Sequence, residues 1–246
     1  MGNRDFLLSM LEDASDANAS LVMKELLDSG EAEAIIAENM DSPSETMRRR
    51  IHQMSSILER RRLLDAFPGM VNDSIYTHWE CLLCLNAIFE FRVSMEQIDG
   101  MMDEILDGAD QITDIRGFRS FIERLGILID DSTDNFITKY LVSDVLVHNN
   151  GAPSVVSAVV QRAGELCGWE TRMGHLDGGI CLLDKNGDAI MVRQDWEVLR
   201  PAPSQFIPWS VHSYAVEILS KIYTSACIDQ ITSVMLDARI LLDKIV

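Results

Sequence analysis

The chain has 246 residues, 47% of them apolar, which is enough to bury a sizeable core in one large domain or two small ones. Lys plus Arg number 21 against 39 Asp plus Glu, a formal charge of −18, which argues against a general nucleic-acid or anionic-membrane surface, because either needs clustered cations. No run approaches the roughly 18 apolar residues of a membrane helix.

The opening MGNRDFLLSML lacks the sustained apolar run and small-residue cleavage site of a signal peptide. Phe6 stands where a myristoylation signal on Gly2 wants Ser or Thr. Cys81, Cys84, Cys167, Cys181 and Cys227 sit among Leu, Ile, Ala and Gly. Such thiols are expected to be reduced and buried, so a cytoplasmic location is expected.

Residues 3 to 66 read as helices with apolar faces at Phe6, Leu7, Met10 and Leu11, then at Leu21, Val22, Leu26 and Leu27, with a third helix starting at Ala32. Ser42-Pro43-Ser44-Glu45 predicts a helix start, with Ser42 as cap and Pro43 in the first turn. That helix carries two basic triplets, Arg48 to Arg50 and Arg60 to Arg62. Each triplet fans around the helix, so pairing with Asp and Glu of neighbouring helices is expected rather than a phosphate site.

Pro68-Gly69 predicts a turn, and helix signals resume at Ser74. Cys81-Leu82-Leu83-Cys84 has C-x-x-C spacing, but there is no second ligand pair for zinc, so core packing is expected. Ser94 with Gln97 predicts a capping box, and the pattern continues through Phe118, Phe121, Ile122 and Leu125 to Gly126. The acidic stretch Asp130, Asp131, Asp134 and Asn135 lacks the Gly and distant Glu of an EF-hand loop, so calcium is not expected. His52, His148 and His212 have no companion at metal-ligand spacing, and His78 beside Trp79 reads as packing. No metal or cofactor is expected.

Leu141 to His148 predicts a short helix leading into the centre of the chain. There Pro153 begins a helix carrying Val155, Val156, Val159, Val160, Ala163 and Leu166, which Gly168 stops. Two apolar runs, Ile180 to Leu183 and Ala189 to Val192, flank Asn186-Gly187, which predicts a tight hairpin turn. His175, between two glycines, reads as a loop residue. After Asp195 to Leu199 the stretch Arg200-Pro201-Ala202-Pro203 reads as a stiff connector, and Val211 to Val246 as a helical pair.

A nucleophile in the first turn of a helix, a His on the next strand and an acid on the strand after form a known arrangement for acyl transfer. Gly151-Ala152-Pro153-Ser154-Val155, the ungapped helix to Gly168, and Asp177-Gly178-Gly179-Ile180 resemble the bacterial branch of the transglutaminase-like superfamily. That branch reads Gly-x-Pro-x-Ser/Cys, a helix, a Gly, then Pro-Gly-His-Phe. The resemblance implies an α+β, mostly α fold: a helical N-terminal half, a papain-like core of one helix with a small antiparallel sheet, and a tetratricopeptide-like C-terminal pair. The regions expected are 1–68, 69–200 and 201–246.

In this register Val155 stands at the nucleophile and Gly179 at the base, and neither carries a reactive atom. The resemblance therefore implies a non-catalytic protein that binds a protein partner. The alternative is a serine- or cysteine-dependent acyl transferase or amide hydrolase with a displaced triad from Ser154, Cys181, His175 and Asp195. Ser154 is one helical step from Val155, about a quarter turn around the helix.

Overall fold

In the computed structural model, which describes residues 3–13, 15–73, 76–90, 92–107, 111–132 and 136–246, several helices begin where a side chain takes over unpaired first-turn N–H groups. The order is α1 (Asn3–Asp13), α2 (Asp16–Asp28), α3 (Ala32–Asn39), α4 (Glu45–Asn72), α5 (His78–Phe89), α6 (Met95–Ile105), α7 (Ile115–Leu125) and β1 (Leu128–Ile129). A 3-10 turn at Ile137–Tyr140 precedes α8 (Val142–His148), β2 (Asn150–Gly151), α9 (Pro153–Leu166), β3 (Thr171–Leu176) and β4 (Gly179–Asp184). Last come β5 (Ala189–Met191), β6 (Val198–Leu199), β7 (Ile207–Pro208), α10 (Val211–Ile228) and α11 (Thr232–Ile245). The fold is α+β and mostly α, with one small antiparallel sheet.

Thr77 and Glu80 form a reciprocal capping box on α5, as do Ser94 and Gln97 on α6. Asp114 accepts the Gly117 N–H at the start of α7. Residues 74 and 75, where the α5 signal was expected to begin, and residues 134 and 135 of the acidic stretch lie outside the described residues.

The chain divides into two compact units, 1–65 and 66–246. In the first, Leu11, Leu26, Ile35, Ile51 and Met54 form a core without solvent access. The basic triplets are spent within this unit. Arg50 is buried, donates to the Leu11 carbonyl at the end of α1, and lies 3.4 Å from Asp16. Arg61 pairs with Asp28 at 2.9 Å, Arg62 with Glu33, and Arg48 donates to the Ser42 carbonyl at 2.8 Å. The exposed pairs are screened by water and salt and add little to stability.

Two helix boundaries differ from the sequence expectation. The cap of α4 is Ser44, whose Oγ accepts the Met47 N–H, so Pro43 precedes the helix instead of opening it. Pro68 lies inside α4, which runs on to Asn72, because burial of Phe67 and Val71 holds the last turns against the missing proline N–H.

In the second unit the sheet order is β6-β5-β4-β3-β7, every pairing antiparallel, beside a separate parallel pair β1-β2. Helix α9 carries Val155, Val156, Val159 and Val160, all fully buried. Burying each contributes about 1.5–3 kcal/mol. Gly151, which opens the Gly-x-Pro stretch, has no room for a side chain: a Cβ there would stand 2.5 Å from Val145 Cγ2. C-terminal to the sheet, α10 packs against α5, the 3-10 turn and α11.

The hairpins are also redistributed. Asn186-Gly187 does not form a two-residue turn. Asp184 pairs with Asp188 around three residues, and only Gly187 has positive φ, at 86°. The Asp184 carboxylate accepts the N–H groups of Asn186 and Asp188 and so holds the turn. The two-residue turn is Asp177-Gly178, with φ of 50° and 81°, and it joins β4 to a strand that the sequence reading missed, β3. Strand β7 was also missed, since Pro208 suppresses the signal and is tolerated at a sheet edge.

Candidate functional site

The candidate residues are distributed over α9, both faces of the sheet and the segment after β5. Successive residues of a strand point to opposite faces, and directly paired residues share one. Gly174 pairs with Cys181 and His175 with Ile180. One face therefore carries Gly174, Leu176, Gly179, Cys181 and Leu183. The other carries Thr171, Met173, His175, Ile180 and Leu182.

Helix α9 lies on the second face. Gln161 Nε2 donates to the Thr171 carbonyl at 2.8 Å, and Ser157 Oγ is 3.4 Å from Met173 Sδ. Four helical residues rise about 6 Å and two strand residues about 6.6 Å. One step further along each element stand Pro153 at the start of α9 and His175 on β3.

This geometry settles where each candidate residue stands. Val155 is fully buried. Gly179 faces away from α9, and a Cβ on it would meet Met191 Cε at 2.9 Å. Cys181 is fully buried on that same far face, packed with Leu176, Leu183, Ala189 and Met191, and burial pushes its thiol up to about 11. Cys181 and His175 thus lie on opposite sides of one sheet, and the structure does not bring them together. Asp195 lies between β5 and β6, largely exposed, with its carboxylate 3.0 Å from Arg193 Nε. Its carbonyl accepts from Arg119 at 3.0 Å. Ser154 is buried beside Tyr214, and its Oγ has no hydrogen-bond partner among the described residues. His175 belongs to strand β3, not to a loop as its flanking glycines suggested.

What surrounds His175 is an aromatic cluster that the sequence reading missed. Its ring lies 4.5 Å from that of Trp209. Trp209 meets Tyr214 edge-on at 5.1 Å, and Tyr214 meets His78 edge-on at 5.0 Å. The Tyr214 hydroxyl donates to the Ser154 carbonyl at 3.1 Å. His78 Nε2 sits 2.9 Å from the Trp209 carbonyl, so that nitrogen carries the proton. These contacts span 131 residues of sequence between His78 and Trp209, so no local pattern could reveal them.

Burial lowers the pKa of His78 below its ordinary 6.5, opposed by its hydrogen bonds to the Trp209 carbonyl and the Gln161 side chain. The unfolded chain therefore takes up this proton first as pH falls. The contribution is whole above about pH 6.5 and is lost as pH falls through the folded-state pKa. His78→Gln is expected to flatten the fall in thermal midpoint below pH 6.5, measured against the parent chain across pH 5 to 8 in about half-unit steps.

The C-x-x-C pair is core. Cys81 and Cys84 are buried in α5, with Cys84 Sγ 3.7 Å from Met70 Sδ, and burial raises both thiols, Cys84 to about 11. Among the described residues no group of three or more His, Cys, Asp or Glu side chains is placed to hold a metal ion. No helix of the described residues is long and apolar enough to cross a membrane. Compared with models of protein families, with characterised proteins and with solved structures, the chain shows no match.

Proposed function

We propose that the chain is a non-catalytic protein of transglutaminase-like plan that acts by binding a protein partner. The observation that carries this reading is the placement of the reactive groups: the thiol of Cys181 and the imidazole of His175 lie on opposite faces of one sheet. A nucleophile and its base must come within hydrogen-bonding range, and a sheet between them prevents it. The buried, apolar Val155 at the nucleophile position supports the same reading. Exposed Leu236 and Ile240, one turn apart on α11, support binding through the C-terminal helices.

A second reading keeps a hydroxyl nucleophile, because Ser154 stands in the first turn of the helix that lies on the His175 face of the sheet and its Oγ makes no hydrogen bond among the described residues. It lacks the acid that would orient the imidazole, since Asp195 pairs with Arg193 and the His175 ring rests on Trp209.

The test is a turnover assay with a glutamine donor and a primary-amine acceptor, and with aryl ester and anilide substrates. The expected result is a rate equal to that of heat-unfolded protein. A rate above that control that disappears in His175→Ala or Ser154→Ala would overturn the proposal.

A further inference from the structure

On the sheet face turned away from α9 there is a pocket of about 500 Å3, within the size of small-molecule sites. One wall is the sheet with the turn after β4. The other is the connector from Pro201 to Phe206 and the edge strand β7. The flat apolar surface comes from Phe206 and from Pro201, Pro203 and Pro208. The charged groups are Arg172, Lys185 and Asp184.

Their charges are not equally available. The Asp184 carboxylate is buried and accepts two backbone N–H groups of its own turn and the Asn186 side-chain amide. Nearby cations are paired with acids: Arg200 with Asp188 at 3.4 Å, Arg193 with Asp195 and Glu197. Arg172 and Lys185 differ. Neither has a carboxylate partner among the described residues, although the chain carries 39 acidic residues. Instead each sits over a ring, Arg172 5.7 Å from the centre of Phe206 and Lys185 6.0 Å from that of Trp169. A ring face steers a cation without neutralising it. The pocket thus holds one oriented positive charge, Arg172, beside an apolar wall, while Lys185 lies at its rim with its ammonium over Trp169, outside that wall.

We propose that this pocket binds a small organic acid, its carboxylate held by Arg172 and its apolar body lying against Phe206 and the prolines. A planar guanidinium fork matches a carboxylate, and the rest of this acidic chain repels anions from other sites. The proposal is independent of the function argued above, because it uses the opposite face of the sheet and no group of the α9 cluster.

The probe is phenylacetate, titrated into the full 15N-labelled chain while amide and arginine Nε–H shifts are followed. Saturable shifts are expected at Arg172, Lys185 and Gly187. Acetate, which lacks the apolar body, and phenylacetamide, which lacks the charge, are each expected to bind at least about tenfold more weakly. Arg172→Gln is expected to weaken phenylacetate by about tenfold or more, with Arg172→Lys falling between. Arg172 is at the surface; should Arg172→Gln lower the melting temperature, Arg172→Lys, which keeps the charge, carries the comparison with the parent chain. Shifts that do not saturate, equal response to acetate, or affinity unchanged in both Arg172 variants would each overturn the proposal.

Discussion

Replacing Tyr214 by Ala is expected to lower the unfolding free energy of the 66–246 unit by about 3–5 kcal/mol, the range for deleting a fully buried aromatic ring. Tyr214 has no solvent access. Its ring contacts Trp209 and His78, and its hydroxyl donates to the Ser154 carbonyl. Tyr214→Phe removes the hydrogen bond alone and is expected to cost about 1 kcal/mol. Urea unfolding followed by near-ultraviolet circular dichroism measures both. The two costs separate packing from polarity: a Phe variant as unstable as the Ala variant would mean that the Ser154 contact, not the ring, holds the first turn of α9.

The second large effect is expected at Gly174. A Cβ there would stand 2.4 Å from Phe206 Cε2 and 2.5 Å from the Ile207 carbonyl oxygen. Real Cβ atoms do not approach so closely, so the connector and β7 must move, and overpacking of this kind costs up to about 3 kcal/mol. Gly174→Ala is therefore expected to loosen β7 from β3 and to spoil the pocket that Phe206 walls. Thermal unfolding of Gly174→Ala and of Gly174→Ala with Phe206→Ala distinguishes the causes. The double variant is expected to recover part of the loss from the ring and none of the part from the Ile207 carbonyl. Recovery of the whole loss would mean that β7 tolerates the methyl group.

Both predictions rest on contacts between distant stretches of the chain, which shows how much of this site local sequence can carry. Capping boxes are written in adjacent residues, so Ser94 with Gln97 located the start of α6 correctly. The buried face of α9 was legible in its valines, because helical periodicity is a local signal. Turn assignment was harder. Asp177-Gly178 and Asn186-Gly187 are both good turn dipeptides, and only strand register decides which takes the two-residue form. Giving the tight turn to Asn186-Gly187 left β3 as a loop, and so left His175 without a face.

The sidedness of the sheet follows from that one strand. Once Gly174 pairs with Cys181, the thiol and the imidazole separate, a conclusion that the spacing of Cys181 from Gly179 could not give. Pro68 failed as a punctuation mark for the opposite reason: tertiary burial of Phe67 and Val71 overrode a local preference. The basic triplets kept their expected meaning, because acids on neighbouring helices take up Arg50, Arg61 and Arg62. The aromatic cluster around His175 joins residues from three distant stretches, and only the fold assembles it.

Residue-resolved covalent labelling reports whether any nucleophile at the first turn of α9 is activated. The native chain is treated with a fluorophosphonate for activated hydroxyls and, separately, with iodoacetamide for thiols, and the labelled peptides are read by mass spectrometry. Fast alkylation is expected at Cys227, which is exposed, and slower alkylation at Cys167, which is partly buried. None is expected at Cys181 until the chain unfolds, and no fluorophosphonate adduct on Ser154. A stoichiometric adduct on Ser154 or Cys181 in the folded chain, lost on His175→Ala, would show an activated nucleophile and overturn the non-catalytic reading.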